Sequence, residues 1–109
     1  MSYEKFRSCI EACYECAMEC DRCATACLQE EDLKMMKRCI ELDMYCSGIC
    51  RTAASFMAMG EMYSGQICRL CAEICQACGE ECAKHKYEHC QRCSEACKSC
   101  AAECNKIAA

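Results

Sequence analysis

Six cysteines stand at Cys9, Cys13, Cys16, Cys20, Cys23 and Cys27, at alternating steps of four and three. Residues three and four apart share one face of an α-helix. The stretch is therefore the inward stripe of a bundle helix, written in thiols where other bundles use leucine. A strand would need period two and a loop would need Gly or Pro, and neither occurs here. The same spacing returns in Cys68, Cys71, Cys75, Cys78 and Cys82, and again in Cys90, Cys93, Cys97, Cys100 and Cys104. Those two runs are one five-cysteine pattern displaced by 22 residues. A sparser stripe holds Cys39, Cys46 and Cys50, and Asp43 takes the place of its missing member.

This spacing creates eight C-x-x-x-C pairs and six C-x-x-C steps. Residues four apart on a helix have Cβ atoms about 5–6 Å apart. A metal held linearly between two sulfurs needs them about 4–5 Å apart, so small χ1 adjustments suffice. Soft thiolates select Cu(I), which accepts low coordination numbers, whereas Zn²⁺ prefers closed tetrahedral sites of four ligands. Charge points the same way. Nineteen buried thiolates are intolerable without cations. One monovalent ion per thiolate neutralises them, and without metal the thiols protonate and pack as small hydrophobes. Such a bundle is folded both empty and full, as a store must be.

The stripes require four helices. The first is expected over 2–28 and the second over 31–59, with Gly60 as the residue that ends it. The third is expected over 64–84, and the fourth over 88–107 across a junction, Lys84-His85-Lys86-Tyr87-Glu88-His89, that lacks Gly and Pro. Short turns between them give one all-α domain over 1–109, an antiparallel up-down-up-down four-helix bundle with a cysteine-lined core. That topology brings the first and third turns to one end, where His85, His89, Met35 and Met36 lie. The opposite end receives Phe6, Phe56, Met57, Met59, Met62, Ile67 and Ile107 as an apolar plug. The methionines read as gap-filling core. Gly48 and Gly79, each beside an inward cysteine, read as points of close helix approach.

The totals exclude several classes. The chain has 109 residues, no Pro, no Trp and no Val, with 19 Cys beside four Leu and six Ile. Cysteine must therefore fill much of the interior. A net charge of −4 argues against nucleic acid as a partner. No apolar run is long enough to span a membrane. The N-terminal residues lack the apolar region of a signal peptide, so the expected compartment is the cytosol, where thiols stay reduced. A disulfide scaffold conflicts with the odd cysteine count and the strict helical spacing. The common iron–sulfur run is absent, and no cysteine stands out as the exposed, low-pKa thiol of a redox enzyme.

Three residues of other types accompany the thiols. His85 and His89 lie three and seven residues beyond Cys82. They extend its stripe or are solvated turn residues, and spacing alone leaves both open. Asp43 pairs with Cys39 at i,i+4, as a ligand or as a carboxylate bonded to neighbouring thiols or water.

The C-x-x-x-C lines in all four segments, Cys39-Ile-Glu-Leu-Asp43-Met-Tyr-Cys46 and Lys84-His85-x-x-x-His89-Cys90 together carry a resemblance. Over nearly its full length the chain resembles the cysteine-rich four-helix-bundle copper storage proteins, particularly their cytosolic branch. The resemblance implies multiple Cu(I) ions bound inside the bundle by cysteine pairs, admitted at one open end, and a homotetrameric assembly. It also implies that Asp43, His85 and His89 occupy the family's non-cysteine positions near the metal. Tyr87 stands where the family often has a further histidine. The expected function is cytosolic Cu(I) storage and buffering with no catalysed reaction, supplied by a copper chaperone or a small thiol. A general Zn²⁺ or Cd²⁺ buffer is the alternative, and a thiol redox enzyme is the rival from another class.

Overall fold

Helices form where the cysteine periodicity places them: α1 (Ser2–Cys27), α2 (Leu33–Met59), α3 (Ser64–Ala83) and α4 (Glu88–Ala108). The computed structural model describes residues 2–108, and no strand occurs among them. Each helix backbone packs against two neighbours, α1 on α2 and α4, α3 on α2 and α4, and among the described residues the diagonal pairs meet only through side chains in the core. The result is a square antiparallel bundle with extents of 48 × 19 × 17 Å.

Local chemistry sets the boundaries. The helix α2 begins at Leu33 rather than Glu31, because the Asp32 side chain caps it by accepting the Met35 N–H at 3.2 Å. At its other end Gly60 adopts φ +140°, a conformation open to glycine, and donates its N–H to the Phe56 carbonyl at 3.1 Å. Ser64 then opens α3 and ties back to the Gly60 carbonyl at 2.6 Å. The junction without Gly or Pro is fixed by a side chain instead. Gln91 donates its amide to the carbonyls of His85 at 2.6 Å and Ala83 at 3.3 Å.

All 19 cysteines are free and buried. With Ala17, Ala53, Ala54, Ala72 and Ala101 they form one continuous core, so the thiols take the packing role assigned to them. Gly79 marks a close approach of α3 to α4: a Cβ there would stand 3.2 Å from the Cys97 Cβ, and Ser94 donates to the Gly79 carbonyl at 2.9 Å. Gly48 does not, since a Cβ there meets nothing within 4 Å. It faces outward, two residues from both Cys46 and Cys50 of the inward stripe.

The apolar end is smaller than expected. Phe6 and Met57 are fully buried, and Phe56, Ile67 and Ile107 are half-buried. Met59 and Met62 are 76% and 80% exposed and plug nothing. Met59 follows Met57 by two residues, a turn of about 200° around the helix. Met62 lies in the turn beyond Gly60.

Candidate metal centre

The four stripes converge on a line of sulfur running the length of the bundle. At the α1–α2 end, Cys23, Cys27, Cys39 and Cys90 form a group whose ligand atoms all lie within 4.8 Å of one another. Cys23 stands 3.8 Å from both Cys27 and Cys90, and Cys27 stands 3.9 Å from Cys90. Further along lie overlapping groups of the same kind: Cys20 with Cys78, Cys93 and Cys97; Cys16 with Cys20, Cys46 and Cys97; Cys16 with Cys46, Cys50 and Cys75. Cys13, Cys71, Cys100 and Cys104 follow. Cys9 reaches Cys104 at 3.6 Å, and Cys68 completes the set of thiols at this far end.

Pairs within a helix are present, as at Cys46–Cys50 and Cys71–Cys75, both 3.9 Å. The spacing of one stripe shows only those. Contacts between helices are as close or closer, with Cys39–Cys82 at 3.3 Å, Cys46–Cys75 at 3.6 Å and Cys13–Cys100 at 3.6 Å. A metal in this core therefore finds sulfur from two or three helices at once.

Asp43 lies inside the line with no solvent exposure. Its Oδ1 accepts from the thiols of Cys93 at 3.2 Å, Cys78 at 3.3 Å and Cys82 at 3.5 Å, while Cys39 stands 4.0 Å from Oδ2. Of the two readings open for it, the metal-free arrangement is the carboxyl bonded to neighbouring thiols. Burial, and then the charges of Cys93 and Cys39, lift it from 3.8 to about 9. Burial also pushes the Cys27 thiol up to about 12, and Cys90 moves in the same direction for the same reason. In the empty core Asp43, Cys27 and Cys90 are thus held as neutral groups among their hydrogen-bonded neighbours.

The two histidines are placed differently. His89 turns Nδ1 toward the end group, 3.5 Å from Cys23 and Cys90 and 3.9 Å from Cys27. Its Nε2 lies 2.9 Å from the Glu30 carboxylate. A carboxylate only accepts, so Nε2 carries the N–H and Nδ1 presents its lone pair to the sulfurs. Tyr87 stacks on the His89 ring with centroids 5.5 Å apart and planes 3° from parallel. His85 is buried beside the same end, and its Nε2 bonds Glu81 at 3.0 Å rather than a thiol. Glu81 also holds Arg38 and Lys84. Glu30 and Glu81 are participants that spacing along one helix could not reveal. His89 is partly open to solvent and lines a surface hollow with Arg22, Ala26 and Gln29. It is the one imidazole that touches both water and the sulfur line.

Such an arrangement offers soft, low-coordinate sites in an unbroken series, with a nitrogen ligand at one end. The comparisons with known proteins agree with that chemistry. A family model for copper storage proteins matches residues 2–109. A Bacillus subtilis (strain 168) relative, the uncharacterised cysteine-rich protein YhjQ, is 45% identical over 82 residues, 75% of this chain and 76% of its own length. The Cu(I)-bound copper storage protein BsCsp3 of Bacillus subtilis superposes with a TM-score of 0.90 at 43% identity over 100% of both chains. A cytosolic copper storage protein from Streptomyces lividans, loaded with five coppers, gives a TM-score of 0.93 at 37% identity over 98% of this chain and 94% of its own.

Proposed function

Because the chain belongs to the copper storage protein family, we propose that it is a cytosolic Cu(I) store that holds many cuprous ions on the thiolates of its core. One observation supports this above the others: the four-sulfur groups share members. Cys16 and Cys46 each belong to two groups, as do Cys20 and Cys97. Shared sulfurs bridge neighbouring ions, and bridging suits a two- to three-coordinate monovalent metal. Zn²⁺ or Cd²⁺ buffering would favour separate tetrahedral sites, each with its own four ligands.

Loading proceeds by exchange. A Cu(I) ion delivered by a chaperone or a small thiol meets His89 Nδ1, then displaces protons from Cys23, Cys27 and Cys90. Each further step trades one sulfur for the next, with neighbours 3.3–4.0 Å apart along the line. Asp43 sits in the half of the line nearer His89, as a carboxyl able to ligate once it gives up its own proton. Imidazole, a harder ligand than thiolate, suits capture better than final storage. His85, bonded to Glu81, supports the approach from the same end. No step forms or breaks a covalent bond of a substrate, so the protein binds and releases rather than catalyses. Assembly into a homotetramer belongs to this reading by likeness to the family.

The test is an anaerobic Cu(I) titration of the reduced protein with X-ray absorption at each loading. The expected result is about one ion per cysteine in two- to three-coordinate sulfur environments. A plateau near one metal per four cysteines with tetrahedral geometry would make the zinc reading correct instead.

A further inference from the structure

We propose that the thioether of Met57 is the terminal metal ligand of the sulfur line, closing a Cu(I) site with Cys9, Cys68 and Cys104 at the end opposite His89. This rests on the storage reading and adds a ligand of a different type to it. Three helices end their inward stripes at this layer with a cysteine: Cys9 on α1, Cys68 on α3 and Cys104 on α4. On α2 the equivalent place, seven residues past Cys50 on the same stripe, belongs to Met57. Its side chain has no solvent exposure. The Cys68 thiol donates to the Met57 sulfur at 3.5 Å. Cys9 and Cys104 are 3.6 Å apart, and Cys68 interacts with both. Met57 thus touches Cys68, which in turn adjoins the Cys9–Cys104 pair.

The geometry suits exchange of a proton for a metal. Two sulfurs bound to one ion at a trigonal angle stand about 4 Å apart if each bond is about 2.3 Å. Opening the Cys68–Met57 contact by roughly half an ångström is enough, and methionine, unbranched with three rotatable bonds, can supply it. Charge explains why a thioether belongs here. Inside the line each thiolate bridges two ions, so its charge is shared. At the terminus there is no further ion to share with, and a fourth thiolate beside Cys9, Cys68 and Cys104 would leave negative charge buried. A neutral soft donor completes the coordination without it.

Packing alone predicts something different, because leucine would fill this site almost as well as methionine. The test uses that difference. Wild type, Met57→Leu and Met57→Cys are filled with Cu(I) anaerobically and brought to equilibrium with rising concentrations of a Cu(I) chelator, so that vacancies can pass along the line. Met57→Leu should release its weakest-held ion at chelator concentrations on the order of tenfold lower than wild type. Met57→Cys, which keeps a soft donor, should hold that ion better than Met57→Leu. Metal-free thermal unfolding should rank the variants the other way, with leucine near wild type and cysteine lower because of the cavity it leaves. In protein labelled at the methionine methyl carbons, the resonance missing from Met57→Leu should move when the wild type is filled. If Met57→Leu releases copper as the wild type does, or that resonance stays still, Met57 is packing and the proposal fails. A wild type that takes up no Cu(I) would instead remove the storage reading itself.

Discussion

Replacing Asp43 by Asn isolates what it costs to keep an acid among thiols. The carboxyl is fully buried and titrates near 9 in the native protein, against 3.8 for the free side chain. Between those values the folded, metal-free state keeps a proton that the unfolded chain has released. A raised pKa of this kind contributes stability that is complete at low pH and lost as pH rises. The slope is about 1.4 kcal/mol per pH unit. From pH 5 to pH 7 the loss amounts to about 2.7 kcal/mol, or roughly 100-fold in the folding constant. The range stops at 7 because thiols of the unfolded chain, near 8.5, begin to ionise above it. Asparagine has the shape of the protonated acid and does not titrate. Urea unfolding of the reduced, metal-free proteins at both pH values measures the difference, and every other titrating group is common to the two. The stability of Asp43→Asn relative to wild type should rise by about 2.7 kcal/mol from pH 5 to pH 7. Curves that stay parallel would show that Asp43 titrates in the folded protein as it does in the unfolded chain, and would refute the protonated carboxyl in the empty core.

Two further outcomes are expected. Removing both His85 and His89 should slow Cu(I) uptake from a chelator complex in stopped-flow while leaving capacity nearly intact, because capacity resides in cysteine. Glu30→Ala should slow it by tenfold at most, since it frees the His89 ring without removing it. Unchanged rates would reduce these histidines to turn residues, and a collapse in capacity would make them storage ligands. Gly48 and Gly79 should respond with opposite signs. Gly48→Ala meets open space and should stabilise by up to about 1 kcal/mol. Gly79→Ala presses on the Cys97 Cβ, which moves only with its helix, so thermal unfolding should show a loss.

The bundle and its thiol lining were legible because each reduces to a period along a single helix. Asp43 could be located from its register, and its burial followed. What the sequence hid are contacts between residues far apart in the chain. Glu30 and His89 are 59 positions apart, and no spacing rule links a turn carboxylate to a distant imidazole. The Glu81–His85 bond was in principle visible as an i,i+4 pair, but charged pairs at that spacing recur on every outer face. Met57 lay on the cysteine stripe of α2 all along, masked by the two alanines that interrupt it. Met59 and Met62 were misplaced because apolar composition near a chain reversal does not say which residues face inward.

The extents of the bundle have a consequence for retrieval. A chain 48 Å long and only 19 × 17 Å across confines its buried thiols to a single line enclosed by four helices. If ions enter and leave only at the His89 end, as proposed, they form a queue. The deepest were the earliest to arrive, and they leave only after those behind them have gone. A cell drawing on such a reserve recovers recent deposits quickly and old ones slowly, whatever their relative affinities. Release from a full chain should thus slow as it empties, and the same content would empty faster if spread thinly over many chains than if packed into few.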